Sequence, residues 1–195
     1  MPRKPRALTD TGVYHVIARG NNRQFLFREA KDHKVYLDIL RDLKSLCRFD
    51  VYHYCLMTNH VHLLMRFYDS EGLQKVMQRL NLAYAKRYRK AYRYYGHVFQ
   101  DRFKSFAIEK DAYLLECGRY IGRNPIRAGL AHTLDEYLWC SYAYYAHGKP
   151  DDLLTPNPCY EGLGVNAEER QDNYRQYLAV MRPYEKLIEE GLLRS

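Results

Sequence analysis

The chain has 195 residues, 47% of them hydrophobic, which is enough for one globular domain with its own core. No apolar run reaches the ~18 residues of a membrane span, and the basic residues 1–10 lack the apolar region of a secretory signal. We therefore expect a cytoplasmic protein with no membrane partner. The net charge of +8 favours a polyanionic partner, most often nucleic acid, although a basic surface can also serve solubility alone.

The first half of the chain carries strand and helix patterns in turn. Residues 12–19 (GVYHVIAR) alternate in polarity and are β-branched, which predicts a strand. Apolar residues at helical spacing predict a helix over residues 30–47. Residues 51–57 and 60–67 predict two more strands, joined by a tight turn.

The second half of the predicted domain repeats this alternation. A long helix is predicted from Asp69 or Ser70, both of which are good N-cap types. A fourth strand follows over residues 103–109, and Asp111 then caps a helix that runs toward Asn124. The resulting order, β-α-β-β-α-β followed by a helix, predicts an α+β protein of the ferredoxin-like class, with an antiparallel sheet and both helices on one face.

The C-terminal quarter differs from the rest in charge. Residues 1–149 carry 26 Lys and Arg against 14 Asp and Glu, whereas residues 150–195 carry 5 against 9. We therefore expect two parts: a domain over residues 1–147 and an acidic C-terminal extension over residues 148–195.

Within this extension, the Pro-, Gly- and Asp-rich residues 148–158 predict a loop or linker, and a helix is predicted from about Ala167 to Arg182. Two interpretations stay open for this helix. It can mimic phosphate and compete with nucleic acid for a basic groove, or it can pack on the domain through Tyr174, Tyr177, Leu178 and Met181.

Two histidines, His60 and His62, stand one residue apart inside the apolar run YCLMTNHVHLLMRF of residues 54–67. Residues two apart on a strand project from the same face, so both imidazoles can reach one metal ion. The alternative is a structural pair, because a single His-x-His is a weak signal. A zinc site that draws in Cys55, with His53 nearby, is a further alternative.

Tyr120 and Asn124 are four residues apart and share one face of the predicted helix. Pro125 disfavours helical geometry at the residue before it. Asn124 can therefore be the N-cap of a short following helix with Pro125 at its first position, and Tyr120 can be one more aromatic of the core. From these residues alone, the structural interpretations are the stronger ones.

Residues 83–105 interleave cations with aromatic residues and contain a single acid, Asp101. Cations bind phosphates and rings stack on bases, so this pattern predicts a nucleic-acid-binding surface. A solvated helix face, with Tyr84 and Tyr88 in the core, explains the same pattern, and both can hold on opposite sides of one helix. The predicted contacts in this segment are Lys86, Arg87, Arg89, Lys90, Arg93, Arg102 and Lys104.

No other motif competes with these. The sequence contains no phosphate-binding Walker loop, no dinucleotide fingerprint, no Cys-x-x-Cys zinc pattern and no zinc-deaminase signature. The cysteines are odd in number and irregularly spaced, which favours reduced thiols over a disulfide framework. They are Cys47, Cys55, Cys117, Cys140 and Cys159.

Four stretches in this order resemble a known family: GVYHVIARGNNR, MTNHVHLLM, GHVFQDRFKS and RYIGRNPIRAGL. They are similar to the tyrosine transposases of the IS200-like superfamily, which are of the HUH type, and most similar to the branch associated with repetitive extragenic palindromes. The resemblance covers about residues 8–145, and four motifs in the same order make it specific. It implies a ferredoxin-like fold, in agreement with the predicted order of elements.

The resemblance implies roles for individual residues. The family's metal-binding histidines fall on His60 and His62, its nucleophilic tyrosine on Tyr120, and its polar third ligand on Asn124. The implied cofactor is a divalent cation, Mg²⁺ or Mn²⁺, and two imidazoles favour Mn²⁺ in vitro because Mg²⁺ prefers oxygen ligands. Outside residues 83–105, further DNA contacts are expected from Arg19, Arg23, Arg119, Arg123 and Arg127.

The implied reaction is cleavage and rejoining of single-stranded DNA. Tyr120 would attack the scissile phosphate, form a covalent 5′-phosphotyrosine and free a 3′-hydroxyl, so that rejoining needs no ATP. A free tyrosine has a pKa of about 10, so Tyr120 needs the field of the metal, or a basic neighbour such as Arg119 or Arg123, to lose its proton. The implied substrate is a DNA hairpin with a short single-stranded flank.

Two other functions stay open. A DNA-hairpin-binding regulator would keep the fold without turnover, and an RNA-processing nuclease would leave no covalent protein adduct. The resemblance also favours a monomer over a homodimer in which two subunits exchange the tyrosine helix.

Overall fold

The computed structural model describes residues 9–180, apart from the side chain of Ala112. The strands are, in chain order, β1 (Val13–Arg19), β2 (Phe49–Met57), β3 (His60–Phe67) and β4 (Lys104–Ala107). The α-helices are α1 (Ala30–Leu46), α2 (Gly72–Tyr92), α3 (Asp111–Arg127), α4 (Tyr142–His147) and α5 (Ala167–Ala179).

The four strands form one antiparallel sheet in the order β2-β3-β1-β4. Helices α1 and α2 pack against each other, and α3 packs on β2 and β3. Nearly every residue of β1, β2 and β3 is buried, because both faces of the sheet are covered. The predicted ferredoxin-like class is confirmed, and β1 and β3 are its central strands.

Several element boundaries differ from the predicted ones. Helix α2 begins at Gly72 because the carboxylate of Asp69 accepts hydrogen bonds from the backbone N–H groups of Glu71 and Gly72, at 3.0 and 2.6 Å. The fourth strand is shorter than predicted, and β2 begins earlier, at Phe49. The short helix α4 lies outside the elements predicted from the sequence.

Helix α3 runs without a break through Pro125 to Arg127. The alternative in which Asn124 caps a separate short helix is therefore wrong. A proline inside a helix removes one backbone hydrogen bond, but Pro125 stands in the last turn, where few such bonds remain to be made. Asn124 is helical, and its side-chain Nδ2 donates to the carbonyl oxygen of Tyr120 at 2.9 Å.

The described part of the C-terminal extension packs on the rest of the chain. Helix α5 contacts α3 and α4, and Tyr174 and Leu178 are buried, as are Leu153 and Leu154 before it. The structure therefore favours the packing interpretation. The predicted start of this helix at Ala167 matches, and Met181 and Arg182 lie outside the described residues.

Within residues 9–180, no helix is long and apolar enough to cross a bilayer. All five cysteines are free thiols. The described fold is therefore held by packing and hydrogen bonds and not by disulfides.

Candidate active site

Three histidines project from the face of the sheet that α3 covers. In the β1–β3 pairing, Arg19 lies opposite His60, Ile17 opposite His62 and His15 opposite Leu64. Directly opposite residues of an antiparallel pair share a face, so His15, His60 and His62 point the same way. His62 and His15 are buried, whereas His60, at the start of β3, is partly exposed.

Each histidine of the pair uses its Nδ1 atom in a hydrogen bond within the protein. His60 Nδ1 lies 2.7 Å from the side-chain oxygen of Asn59, and His62 Nδ1 lies 2.9 Å from Nε2 of His15. The Asn59 oxygen can only accept, so the proton of His60 is on Nδ1 and its Nε2 keeps a lone pair. The imidazole rings of His60 and His62 lie 4.9 Å apart, centroid to centroid.

Burial keeps these imidazoles neutral. It lowers the pKa of His15 to about 3. Burial and, less strongly, the charge of Arg19 lower the pKa of His60 to about 4. Burial also lowers the pKa of His62, with smaller contributions from His60 and His15. Neutral imidazole is the form that binds metals, so the histidines are in a ligand-competent state at neutral pH.

Helix α3 places Tyr120 beside the histidines and Asn124 one turn further along the same helix. The Tyr120 ring centroid lies 5.7 Å from that of His62 and 5.8 Å from that of His15, in edge-on contacts. Both α3 residues are buried. Because Nδ2 of Asn124 donates to the Tyr120 carbonyl, the amide oxygen is the atom suited to a metal. The candidate donors, two imidazole nitrogens and one amide oxygen, are all neutral.

A glycine allows α3 to approach the sheet this closely. A Cβ atom at Gly118 would lie 2.5 Å from Nε2 of His53, so a larger residue would push the helix away. The ring of His53 is buried, with Nε2 3.1 Å from the Asn157 amide nitrogen and Nδ1 3.4 Å from the Ser141 hydroxyl. Gly118 precedes Tyr120 by two residues, so the absence of a side chain at position 118 lets this part of α3 lie close to β2.

The zinc alternative does not fit this arrangement. Both ring nitrogens of His53 have protein partners, and the Cys55 thiol donates to the sulfur of Met57. Among residues 9–180, no cluster of three His, Cys, Asp or Glu side chains could hold a metal ion. The candidate set therefore depends on the Asn124 amide as its third member.

Cations stand close to the candidate site. The Arg127 guanidinium carbon lies 5.0 Å from the centroid of the Tyr120 ring. Arg19 is exposed at the end of β1 and near enough to lower the pKa of His60. Lys104 lies opposite Ile17 in the β1–β4 pairing, on the same face of the sheet as the histidines. These charges favour an anionic group at this end of the sheet.

Two arginines that were expected to contact DNA are buried against α5. Arg119 and Arg123 are 1% and 6% exposed. Arg119 Nε donates to the carbonyl oxygen of Tyr177 at 3.0 Å, and Arg123 donates to that of Leu178. These contacts tie α3 to the end of α5, so the structure does not support a phosphate contact for either arginine, and we exclude both from the proposed DNA surface.

The other predicted DNA-binding cations remain accessible. Arg89 and Arg102 line an open groove of about 810 Å³ between α2 and residues 97–103, together with Phe99. Arg127 is half-buried. The exposed members of the predicted set are Arg19, Arg23, Lys86, Arg87, Arg89, Lys90, Arg93, Arg102 and Lys104.

His15 is a residue of the candidate site that was not predicted from the sequence. The sequence shows only a histidine within the apolar strand pattern VYHVIAR of β1. Burying an imidazole without a hydrogen-bond partner is unfavourable, so this histidine is expected to have a partner. That partner, His62, is 47 residues away in the chain, and only the register between β1 and β3 brings the two together.

The chain is similar to known proteins both in sequence and in fold. The sequence profile of the family described as "Transposase IS200 like" matches residues 9–124, more than half of the chain. The fold is similar to that of a REP-associated tyrosine transposase solved with a REP hairpin, at 14% identity and a TM-score of 0.64 over 80% of this chain and 92% of that one.

A Deinococcus radiodurans R1 protein assigned as a transposase is 22% identical, with a TM-score of 0.42 over 57% of this chain and 90% of that one. Comparison with curated protein sequences gave no significant match. The profile match confirms the family resemblance seen in the sequence motifs. The chain belongs to the IS200-like transposase family.

Proposed function

We propose that the protein cleaves and rejoins single-stranded DNA at hairpins of the repetitive-palindrome type, through a covalent 5′-phosphotyrosine on Tyr120. The observation that carries this proposal is the contact between the rings of Tyr120 and His62, whose centroids lie 5.7 Å apart, with Asn124 one helical turn further along α3. Family membership supports it, and one structural relative was solved bound to a REP hairpin.

The residues at the site fit a divalent cation, Mg²⁺ or Mn²⁺. His60 and His62 would hold it through Nε2, because both Nδ1 atoms have protein partners. Asn124 would hold it through its amide oxygen. When bound, the cation supplies positive charge that polarises the scissile phosphate and stabilises the leaving oxygen. All three ligands are neutral, so they would leave that charge available to the substrate.

The protein's own groups supply the nucleophile and its surroundings. The Tyr120 hydroxyl would lose its proton to solvent, and its oxygen would attack the phosphorus. A new P–O bond forms while the bond to the 3′-oxygen breaks, and that oxygen would take a proton from solvent. Arg127, at 5.0 Å from the ring, favours the phenolate by its charge. Arg119 and Arg123 do not share this role in the proposal, because their guanidinium groups donate to carbonyl oxygens of α5.

The exposed cations would hold the phosphates of the DNA. The cations of α2 and of the segment before β4 border the groove that Phe99 lines. Cations beside an aromatic ring suit single-stranded DNA, because the cations bind its phosphates and an unstacked base can stack on the ring. Tyr120 and His62 meet within one chain, which supports a monomer, since no exchange of the tyrosine helix with a second subunit is needed to assemble the site.

The direct test is to incubate the purified protein with labelled hairpin DNA and Mn²⁺ and to look for a protein–DNA adduct that survives denaturation. The proposal expects such an adduct and a free 3′-hydroxyl. Hairpin binding without an adduct would instead favour the non-catalytic regulator. Cleavage of RNA without an adduct would favour a nuclease of another kind.

A further inference from the structure

The contact between His15 and His62 is buried and has a defined geometry. The two nitrogens lie 2.9 Å apart, the ring centroids are 5.1 Å apart, and the rings are stacked at 26°. His15 is 3% exposed and His62 is 2% exposed. In a hydrogen bond between two neutral imidazoles, one nitrogen must donate and the other must accept.

The direction of this hydrogen bond decides whether His62 can bind a metal. If Nδ1–H of His62 donates to Nε2 of His15, the Nε2 atom of His62 carries a lone pair. If His15 donates instead, the proton of His62 is on Nε2 and blocks that atom. Metal binding through Nε2 therefore requires His15 to be the acceptor.

The neighbouring histidine is held in the same manner by a different residue. The side-chain oxygen of Asn59 accepts from Nδ1 of His60 at 2.7 Å. The Asn59 amide nitrogen points to the carbonyl of Arg23, which supports this orientation of the amide. Each histidine of the pair thus has a side-chain partner at Nδ1. In metal sites, an acceptor at that atom orients the ligand imidazole and sets its tautomer.

We propose that His15 is a positioning residue for metal binding: it accepts the Nδ1 proton of His62 and so presents Nε2 of His62 to the cation. This inference rests on the metal site of the proposed function. His15 does not bind the metal itself, since its Nε2 is occupied by His62.

The chain offers a matched control in His53. Like His15, it is a buried strand histidine on the same face of the sheet, and its ring stacks on that of Tyr145 at 4.4 Å. Its nitrogens are paired with Asn157 and Ser141. If a substitution weakens Mn²⁺ binding only by disturbing the core, a change at either histidine should weaken it. If His15 positions His62, only a change at His15 should do so.

The experiment compares His15→Gln, His15→Asn and His53→Asn in the full-length protein. The glutamine amide reaches about as far as Nε2 of histidine and can accept from His62, whereas the asparagine amide is one methylene shorter. Mn²⁺ affinity is measured by the loss of the free-ion signal in electron paramagnetic resonance, and imidazole coordination by the nitrogen couplings of bound Mn²⁺.

We expect His15→Asn to weaken Mn²⁺ binding by about 10- to 100-fold and to reduce the nitrogen couplings. We expect His15→Gln to stay close to the wild type and His53→Asn to leave Mn²⁺ affinity unchanged. If His15→Asn does not fold, His15→Leu, which is closer to histidine in volume and has no acceptor, replaces it with the same expectation.

Unchanged Mn²⁺ affinity in His15→Asn would overturn the positioning role, and so would an equal loss in His53→Asn. If the wild type forms the DNA adduct while His15→Asn keeps its affinity, only this inference fails. If the wild type neither binds Mn²⁺ nor forms the adduct, the proposed function fails, and the role of His15 fails with it.

Discussion

Arg119 of α3 donates a hydrogen bond from Nε to the carbonyl oxygen of Tyr177 in α5, over 3.0 Å. The guanidinium also lies 3.8 Å from the carboxylate of Glu116, which accepts from the Tyr177 hydroxyl. Carbonyl groups in the last turn of a helix lack partners within that helix, and a cation there is favoured by the helix dipole. Arg119 precedes Tyr120 in the chain, so α5 stabilises the helix that carries the proposed nucleophile.

The first prediction is that Arg119→Ala lowers the free energy of unfolding by about 1–3 kcal/mol, because it leaves carbonyl oxygens at the end of α5 without their donor and the Glu116 carboxylate without its nearby cation. Urea unfolding measures this. Arg87→Ala, on the exposed side of α2, should stay within about 0.5 kcal/mol of the wild type. If Arg119→Ala weakened DNA binding without any loss of stability, Arg119 would be a phosphate contact after all.

The second prediction concerns the nucleophile. Tyr120→Phe should abolish the covalent adduct and leave hairpin affinity nearly unchanged, because the change removes one hydroxyl and keeps the ring. The matched control is Tyr113→Phe, at an exposed position two turns earlier on α3, which should form the adduct as the wild type does. An adduct that persists in Tyr120→Phe and is lost in Tyr113→Phe would move the assignment to Tyr113.

The third prediction concerns the exposed cations of α2. Replacing Lys86, Arg87, Arg89 and Lys90 by Ala should weaken hairpin binding at any sequence. It should also reduce the slope of log affinity against log salt concentration by close to one for each lost phosphate contact. Replacing Lys31 and Lys34 of α1, which are outside the predicted set, should not change the slope. An unchanged slope in the α2 variant would mean that these side chains face solvent and do not contact the phosphates of DNA.

The fourth prediction is a loss of stability in acid. Burial lowers the pKa of His15 and of His53 to about 3, whereas an unfolded histidine titrates near about 6.5. As the pH falls below that value, the unfolded chain binds protons that the native protein does not, so the free energy of unfolding decreases. The stabilisation that comes from burying neutral histidines is fully present above about pH 6.5. Below that value, each of the two histidines lowers the free energy of unfolding by up to about 1.4 kcal/mol per pH unit.

Urea unfolding between about pH 7.5 and pH 5 measures this dependence. His53→Gln should make it less steep by the contribution of one group, and His132→Gln, at an exposed position, should not change it. A stability that stayed constant over this range would contradict the burial of neutral histidines.

Local sequence patterns determined most of the elements, and they also determined which candidate site residues share a face within one strand or one helix. The period of a strand is two residues and that of a helix is 3.6, so the shared face of His60 and His62 and that of Tyr120 and Asn124 could be predicted without any knowledge of tertiary contacts. The bounds of β3 agree with the predicted strand over residues 60–67.

Only the tertiary structure decided which distant residues meet. His15 reaches His62 through the register of β1 with β3, and Arg119 turns inward because α5 packs on α3. In the sequence, a buried arginine and a DNA-binding arginine look alike, and so do a solitary core histidine and the acceptor for a metal ligand. Strand register and helix packing depend on contacts between residues far apart in the chain, and local periodicity carries no information about those contacts.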